Sequence, residues 1–328
     1  ITMLAGGKGA AATAIKVSGK VIDPFKVTKE DVIGAVDPST GAETGTQVIR
    51  QVYPRLGIVP GLILAPGWSQ IPEVGLALAA KAAKINGVYS AMALLDLDTA
   101  KAKKYTDTKS VKEEFGYTTP FCYPLWPCDR VGEYILAKSA VAGAMIQYMT
   151  SDNEDVPNQS PSNHLLGVGG QCLADGTEVY LDQDQANTVN GYGVTTAINQ
   201  NGYRLWGNYT GAYPASSDTK DIWFAVRRMF SWQGNNFIQT YFDEVDDPMN
   251  NVLVQSVVDS ENIRCSAYAP KYWAGASIEY KSDDNPKTAI LAGTMKFRQH
   301  IAPYTPAQEI VDIIDYDTDT LAAAVGGN

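Results

Sequence analysis

The chain has 328 residues, enough to bury a sizeable core and to divide into more than one subdomain. Hydrophobic residues make up 45% and charged residues 19%, which excludes a disordered chain. The net charge of -10 argues against a surface that tracks nucleic-acid phosphates.

Residues 1–57 read as irregular sequence leading into the fold. Ala5-Gly6-Gly7-Lys8-Gly9 is glycine-rich but lacks the spacing of a phosphate loop, so it reads as a turn. The chain opens on Ile1 rather than Met, and the expectation is that its natural start lies upstream. Lys16–Asp23 predicts a strand ending at Pro24. Thr46–Tyr53 predicts a short helix stopped by Pro54.

Residues 58–163 have an α/β rhythm. Gly61–Ala65 is an apolar run between Gly and Pro, which predicts a buried strand. Pro72–Asn86 follows as a helix, with Pro suited to its first turn and Gly87 to its end. Tyr89–Leu97 predicts a second strand, Thr108–Phe115 a helix, Pro120–Trp126 a third strand and Arg130–Met149 a long helix. That alternation implies a parallel sheet, with any ligand site beyond the carboxyl ends of the strands. An α/β enzyme would therefore use the loops after Ala65 and Leu97. Those loops, with the end of the third strand, carry Ser69, Asp96, Asp98 and Asp129. Gly67-Trp68-Ser69-Gln70-Ile71 fails the nucleophile-elbow pattern at its last position, and the first turn lacks a dinucleotide fingerprint. Asp96 and Asp98 read as solvated loop acids rather than a cation site. No catalytic, cofactor or metal site is expected.

Residues 164–328 form the third segment. Asp182–Asn187 begins like a calcium loop but lacks the required Gly and Glu, so it reads as a short helix or turn. Val194, Thr196 and Ile198 alternate with smaller or polar residues. Asn201-Gly202 then predicts a two-residue hairpin turn. On the return strand Tyr203, Leu205 and Gly207 share one face, and Arg204 and Trp206 the other. Asp218 is placed to cap a single helix over Thr219–Glu244, and Asn250 to start another that runs to about Ala267. Arg227 and Arg228 on the first helix, and Asp246 and Asp247 after it, are candidate contacts between copies of the chain. Strands are predicted at Ala276–Tyr280, Thr294–Ile301 and Glu309–Tyr316. The last carries Ile310 and Ile314 on one face and Val311 and Ile313 on the other, with Tyr316 at its end. Such a strand suits pairing with a neighbour better than a free edge.

Cys122, Cys128, Cys172 and Cys265 match no zinc spacing and read as reduced thiols of a cytoplasmic protein. His164 and His300, the only histidines, read as structural. No apolar run reaches the roughly 18 residues of a membrane span, and the start does not read as a secretory signal.

Gly193-Val194, followed by Asn201-Gly202-Tyr203-Arg204-Leu205-Trp206-Gly207-Asn208-Tyr209-Thr210, resembles the signature of contractile phage tail sheath proteins. Asn201, Gly202, Arg204, Trp206, Gly207, Asn208 and Thr210 match that signature, and Tyr209 stands where the family usually has Arg. Ser160-Pro161-Ser162-Asn163 and the order of residues from Asn285 to Ile310 also resemble the family. The resemblance implies an α/β core at 58–163, preceded by part of an outer domain at 1–57. A hairpin and two helices follow at 164–328, with a terminal strand arm, for an α+β fold overall. It implies a structural subunit without a cofactor. Such subunits stack as homo-oligomeric rings around an inner tail tube, between baseplate and tail terminator, in a virion tail assembled in the host cytoplasm. Neither nucleic acid nor direct membrane insertion enters that reading.

Overall fold

The computed structural model describes residues 19, 21 and 23–326. The glycine-rich stretch Ala5–Gly9 lies outside these residues, as does most of the strand expected at Lys16–Asp23. Helical turns at Gly45–Gln51 and Val52–Leu56 run through Pro54 instead of stopping there. Pro54 sits in the first turn of the second piece, where its missing N–H is not needed. Gly57 ends it with φ 67°.

Strands β1 (Leu62–Leu64), β2 (Met92–Asp96) and β3 (Cys122–Leu125) pair in parallel in the order β1-β2-β3. Helix α1 (Pro72–Ala83) connects the first two, with proline at its start. Helix α2 (Thr108–Phe115) connects the next two and closes on Gly116. The central strand is buried along its whole length. Its side chains alternate between two cores. Ala93 and Leu95 pack with Val74, Leu78 and Ala82 of α1, whereas Met92 and Leu94 pack with Ala142 and Ile146. The parallel α/β unit read from the sequence is present.

The helix expected from Arg130 starts only at Lys138. The intervening residues form a hairpin of β4 (Cys128–Val131) and β5 (Tyr134–Leu136), turning at Gly132 with φ 60°. Strand β6 (Gly170–Cys172), from beyond the polar loop, pairs with the other edge of β4. This distant partner overrides the helical reading of the segment. Helix α3 (Lys138–Asp152) then covers the sheet.

Helix α4 (Gln183–Gly191) is capped by Asp182, whose side chain accepts from the Gln185 N–H. The signature hairpin follows as β7 (Thr196–Asn199) and β8 (Tyr203–Trp206). Its loop has three residues, Gln200 to Gly202, rather than two. Asn201 (φ 55°) and Gly202 (φ 106°) supply the left-handed conformations, and Asn199 Oδ1 accepts from the Gly202 N–H. Just before β7, Thr195 bridges to Leu125: its N–H donates to Pro124 and its carbonyl accepts from Trp126, each at 2.9 Å. The hairpin is thus grafted onto the open edge of β3. Tyr203 and Leu205 are buried, while Arg204 and Trp206 are half-buried on the opposite face.

The single helix expected from Thr219 is broken. A first turn, Thr219–Ile222, ends at the extended residue Trp223, and α5 (Phe224–Thr240) begins there. The break has a cause, because Tyr209 pairs with Trp223 as a short bridge. Helix α6 (Asn251–Tyr268) starts at the cap Asn250 as the sequence indicates. Strands β9 (Trp273–Glu279) and β10 (Arg298–Pro303) pair antiparallel. Trp273 joins Cys265 and Met229 in a third core. The predicted strand at Thr294–Ile301 is thus shifted toward its C-terminus. Glu309–Tyr316 is not a strand: it has no ladder partner among the described residues, and a short helix, Thr318–Ala324, follows it.

Gly207 is a tight point of the graft. A Cβ there would lie 2.4 Å from Thr195 Oγ1 and 2.9 Å from Thr195 Cα. Gly207→Val is expected to destabilise the fold by about 1–3 kcal/mol, because backbone cannot move aside as a flexible side chain can. Urea unfolding checks this. An unchanged midpoint would contradict the close approach.

Candidate assembly site

Three of the four polar residues named at the strand ends lie inside the fold, and Asp98 is half-buried. Ser69, Asp96 and Asp129 are all buried. Asp96 is a correction to the solvated reading, being only 7% exposed. Its carboxylate accepts from Ser69 Oγ (3.0 Å), from the Ser139 N–H (2.8 Å) and from Ser139 Oγ (2.5 Å). Burial pushes the Asp96 carboxyl up from its ordinary value against those hydrogen bonds. Asp129 pairs with Lys138, both with fully buried side chains, and burial likewise raises its carboxyl. These groups tie the ends of β2 and β4 to the first turn of α3. They form a structural lock, with the Ser69 hydroxyl donating to Asp96 and accepting from the Asp96 N–H.

The conspicuous surface feature is the hub built around the signature. Residues 163–166 run antiparallel to β8, with the Asn163 N–H donating to Leu205 (2.6 Å) and the Leu166 N–H to Tyr203 (2.9 Å). Arg204 donates to the Asn163 carbonyl (2.8 Å) and to the Gln200 carbonyl (3.0 Å). Trp206 Nε1 donates to Asn187 Oδ1 in the middle of α4 (2.9 Å). The Gly207 N–H donates to Ser162 Oγ (3.1 Å), Asn208 Oδ1 accepts from Ser160, and Tyr123 reaches the Gly207 carbonyl from β3 (2.9 Å). The next residues clamp the start of α5. The Phe224 N–H donates to Asn208 (2.8 Å), the Thr210 N–H donates to Ile222 (2.8 Å), and Thr210 Oγ1 donates to Asp221 (2.5 Å). Two distant stretches singled out in the sequence, Ser160–Asn163 and Asn201–Thr210, are therefore one contact.

Tyr209 has a local explanation. It stacks on Tyr213 (centroids 3.8 Å apart) and on Trp223 (4.8 Å), and its hydroxyl donates to Gln308 (2.6 Å). That bond fixes the root of the C-terminal segment beside the hub. A groove of about 670 Å³ runs between them, lined by Trp206 and Asn208 on one side and Pro306, Gln308 and Ile310 on the other. His164 also lines it, and His300 lies 2.9 Å from Glu279 across β9 and β10.

The candidate contacts divide. Arg228 is buried and donates to Thr150 (3.1 Å), while Arg227 pairs with Asp221 (3.3 Å) and lies over the Phe121 ring. Arg227 is thus paired within the chain, whereas Arg228 is buried with a hydroxyl and no carboxylate beside it; neither is an exposed surface charge. Sequence reading missed this because helix phase turns both residues inward in the first turns of α5. Asp246 and Asp247 are exposed in the turn that follows α5. Ile310, Val311, Ile313, Ile314 and Tyr316 are 89%, 68%, 80%, 87% and 76% exposed. These five exposed apolar side chains, interrupted by Asp312 and Asp315, have no packing partner among the described residues.

Sequence reading also missed Lys112. It is buried on α2, and its Nζ donates to the carbonyls of Tyr192 (2.9 Å) and Tyr213 (2.5 Å) on either side of the hub. An ordinary helix lysine carries no signal of such a role.

The fold is that of contractile sheaths. A sheath complex of an extracellular contractile injection system in its contracted state matches with TM-score 0.68 and 17% identity, over 84% of this chain and 76% of that one. The contracted helical sheath of the anti-feeding prophage matches with TM-score 0.62 and 17% identity, over 87% and 76%. In sequence the chain is similar to curated tail sheath proteins of several phages. It is 25% identical to the tail sheath protein of Burkholderia phage BcepMu over 97% of this chain and 68% of that protein. It is 23% identical to that of Escherichia phage P2 over 86% and 69%. A prophage major tail sheath protein of Pseudomonas aeruginosa is 29% identical over 67% and 54%. No protein-family model matches the chain.

Two outcomes follow from the buried charges. Lys138→Ala leaves Asp129 buried without its partner and is expected to cost about 3–5 kcal/mol, whereas Lys138→Met with Asp129→Leu costs much less. Equilibrium denaturation of the single and double variants distinguishes them. Burial lowers the Lys112 amine from its ordinary 10.5 to about 8. Between those values the folded chain has lost a proton that the unfolded chain retains, so stability from this group rises with pH. The wild-type protein should therefore gain stability relative to Lys112→Met from about pH 8 to about pH 10, measured by urea midpoints.

Proposed function

We propose that the chain is a structural subunit of a contractile tail sheath, polymerising around an inner tube and shortening to drive that tube through a target envelope. The exposed apolar segment Ile310–Tyr316, on a chain with a sheath fold, is the observation that carries this reading. Unpaired, such a segment is an aggregation hazard. Added to the edge of a neighbour's β-sheet, it gains main-chain hydrogen bonds and buries both faces. The two-stranded β9–β10 sheet is a candidate acceptor. Asp246 and Asp247 would face basic groups on another copy.

In this reading the segment before residue 58 leads to an outer domain, residues 58–163 form the core, and residues 164–328 carry the hub and arm. The subunits stack as homo-oligomeric rings between baseplate and terminator in a tail assembled in the host cytoplasm. The role needs no catalysis, cofactor, nucleic acid or membrane insertion. Contraction needs only a modest bias of each subunit toward the contracted packing.

The test is truncation after Thr305 in the full-length protein. The expected result by electron microscopy is folded, soluble subunits without tubes. Tubes of normal length and order would show that the segment is not the tether.

A further inference from the structure

A second cavity, of about 480 Å³, opens between α3 and α5. Its lining includes Gln147, Thr150, Arg228, Ser231, Asn235 and Asn236. Arg228 is 6% exposed and Ser231 5%. Arg228 Nη2 donates to Thr150 Oγ1 at 3.1 Å. Its Nη1 and the Ser231 hydroxyl are buried without a hydrogen-bond partner. The wall is fixed, because Asn235 is clamped to Ser90, accepting from its N–H (2.9 Å) and donating to its carbonyl (2.8 Å).

The charge balance is unusual. Asp155 is the one acidic residue lining this cavity, and it is exposed. The groups that act on the guanidinium are burial, which lowers its basicity to about 10, and the Tyr123 phenol. The Phe224 ring, 5.6 Å from the guanidinium carbon, adds only a cation–π contact. A buried cation retained at neutral pH without a counter-ion costs several kcal/mol. A buried hydroxyl without a partner adds to that cost.

We infer that this cavity is a binding site for a small oxyanion of the carboxylate or phosphate class, held by Arg228 with Ser231 as second donor. A planar guanidinium matches two oxygens of either group, and the surrounding amides leave further donors. The inference concerns the folded subunit and does not depend on assembly. A free phosphate and a carboxylate carried by another molecule share this chemistry.

The experiment is thermal unfolding of the full chain in sodium phosphate, sodium acetate and sodium chloride at matched ionic strength, with 31P NMR line widths of phosphate as the direct readout. At tenfold excess over Kd the unfolding constant should fall about 11-fold, and the effect should saturate. General salting-out does not saturate. Saturable stabilisation by phosphate assigns free phosphate. Saturation by acetate alone, with no phosphate broadening, assigns a carboxylate. Either effect should vanish in Arg228→Gln. Ser231→Leu fills the cavity without removing the charge, so it should abolish binding as well and serves if Arg228→Gln does not fold. Equal stability in the three salts, with unbroadened phosphate, would overturn the inference and leave the cavity to water. So would saturation that survives in a folded variant.

Discussion

The molecule depends on one close approach, that of Gly207 to Thr195. Thr195 carries the β3 edge into the hairpin, and Gly207 ends the return strand against it. Only a residue without a side chain lets the two backbones meet there. Because they meet, Asn208 and Thr210 reach the start of α5, and Tyr123 reaches the Gly207 carbonyl. The parallel core, the hairpin and the helical layer are therefore held by one junction. A change at this position acts on all three, since buried elements with shared contacts do not respond independently.

The α/β core was legible because its signals are local. Apolar runs bounded by Gly and Pro placed β1 and α1, and a fully apolar stretch placed β2. The misses have one physical origin, which is a partner from far along the chain. The Cys128–Leu136 hairpin exists because Gly170–Cys172 pairs with it. The helix break at Trp223 exists because Tyr209 bridges to it. Glu309–Tyr316 has strand composition but no strand, because composition does not supply an edge. At the candidate site the family pattern groups residues that lie together on one hairpin and the segment after it. Their junction with Ser160–Asn163 could not be read from spacing. Neither could the inward turn of Arg227 and Arg228.

Charge is distributed in two ways. Most ion pairs lie at the surface, where each contributes little. The Asp129–Lys138 pair is fully buried between β4 and α3, and the buried Glu261 carboxylate pairs with the half-buried Arg264 one turn along α6. Glu261 also receives Gln233 (2.6 Å) and Gln299 (3.0 Å), so one carboxylate holds α5, α6 and β10 in register. Such groups specify an arrangement by the penalty for leaving them unpaired. Arg228 departs from this scheme by lacking a carboxylate.

The root of the C-terminal segment sets a length scale. Tyr304 donates to the Pro270 carbonyl (2.9 Å), and Gln308 is held by Tyr209. The free run therefore begins at Glu309. At roughly 3.3–3.6 Å per extended residue, its passage to Tyr316 spans at most about 26–29 Å. In the assembly proposed above, a tether of that reach would be a fixed leash between particular points on two subunits. Rotation and sliding of one subunit past another are then confined to paths that keep those points within its span. So short a leash would act as a geometric selector, admitting few pitches of a helical lattice and excluding the rest.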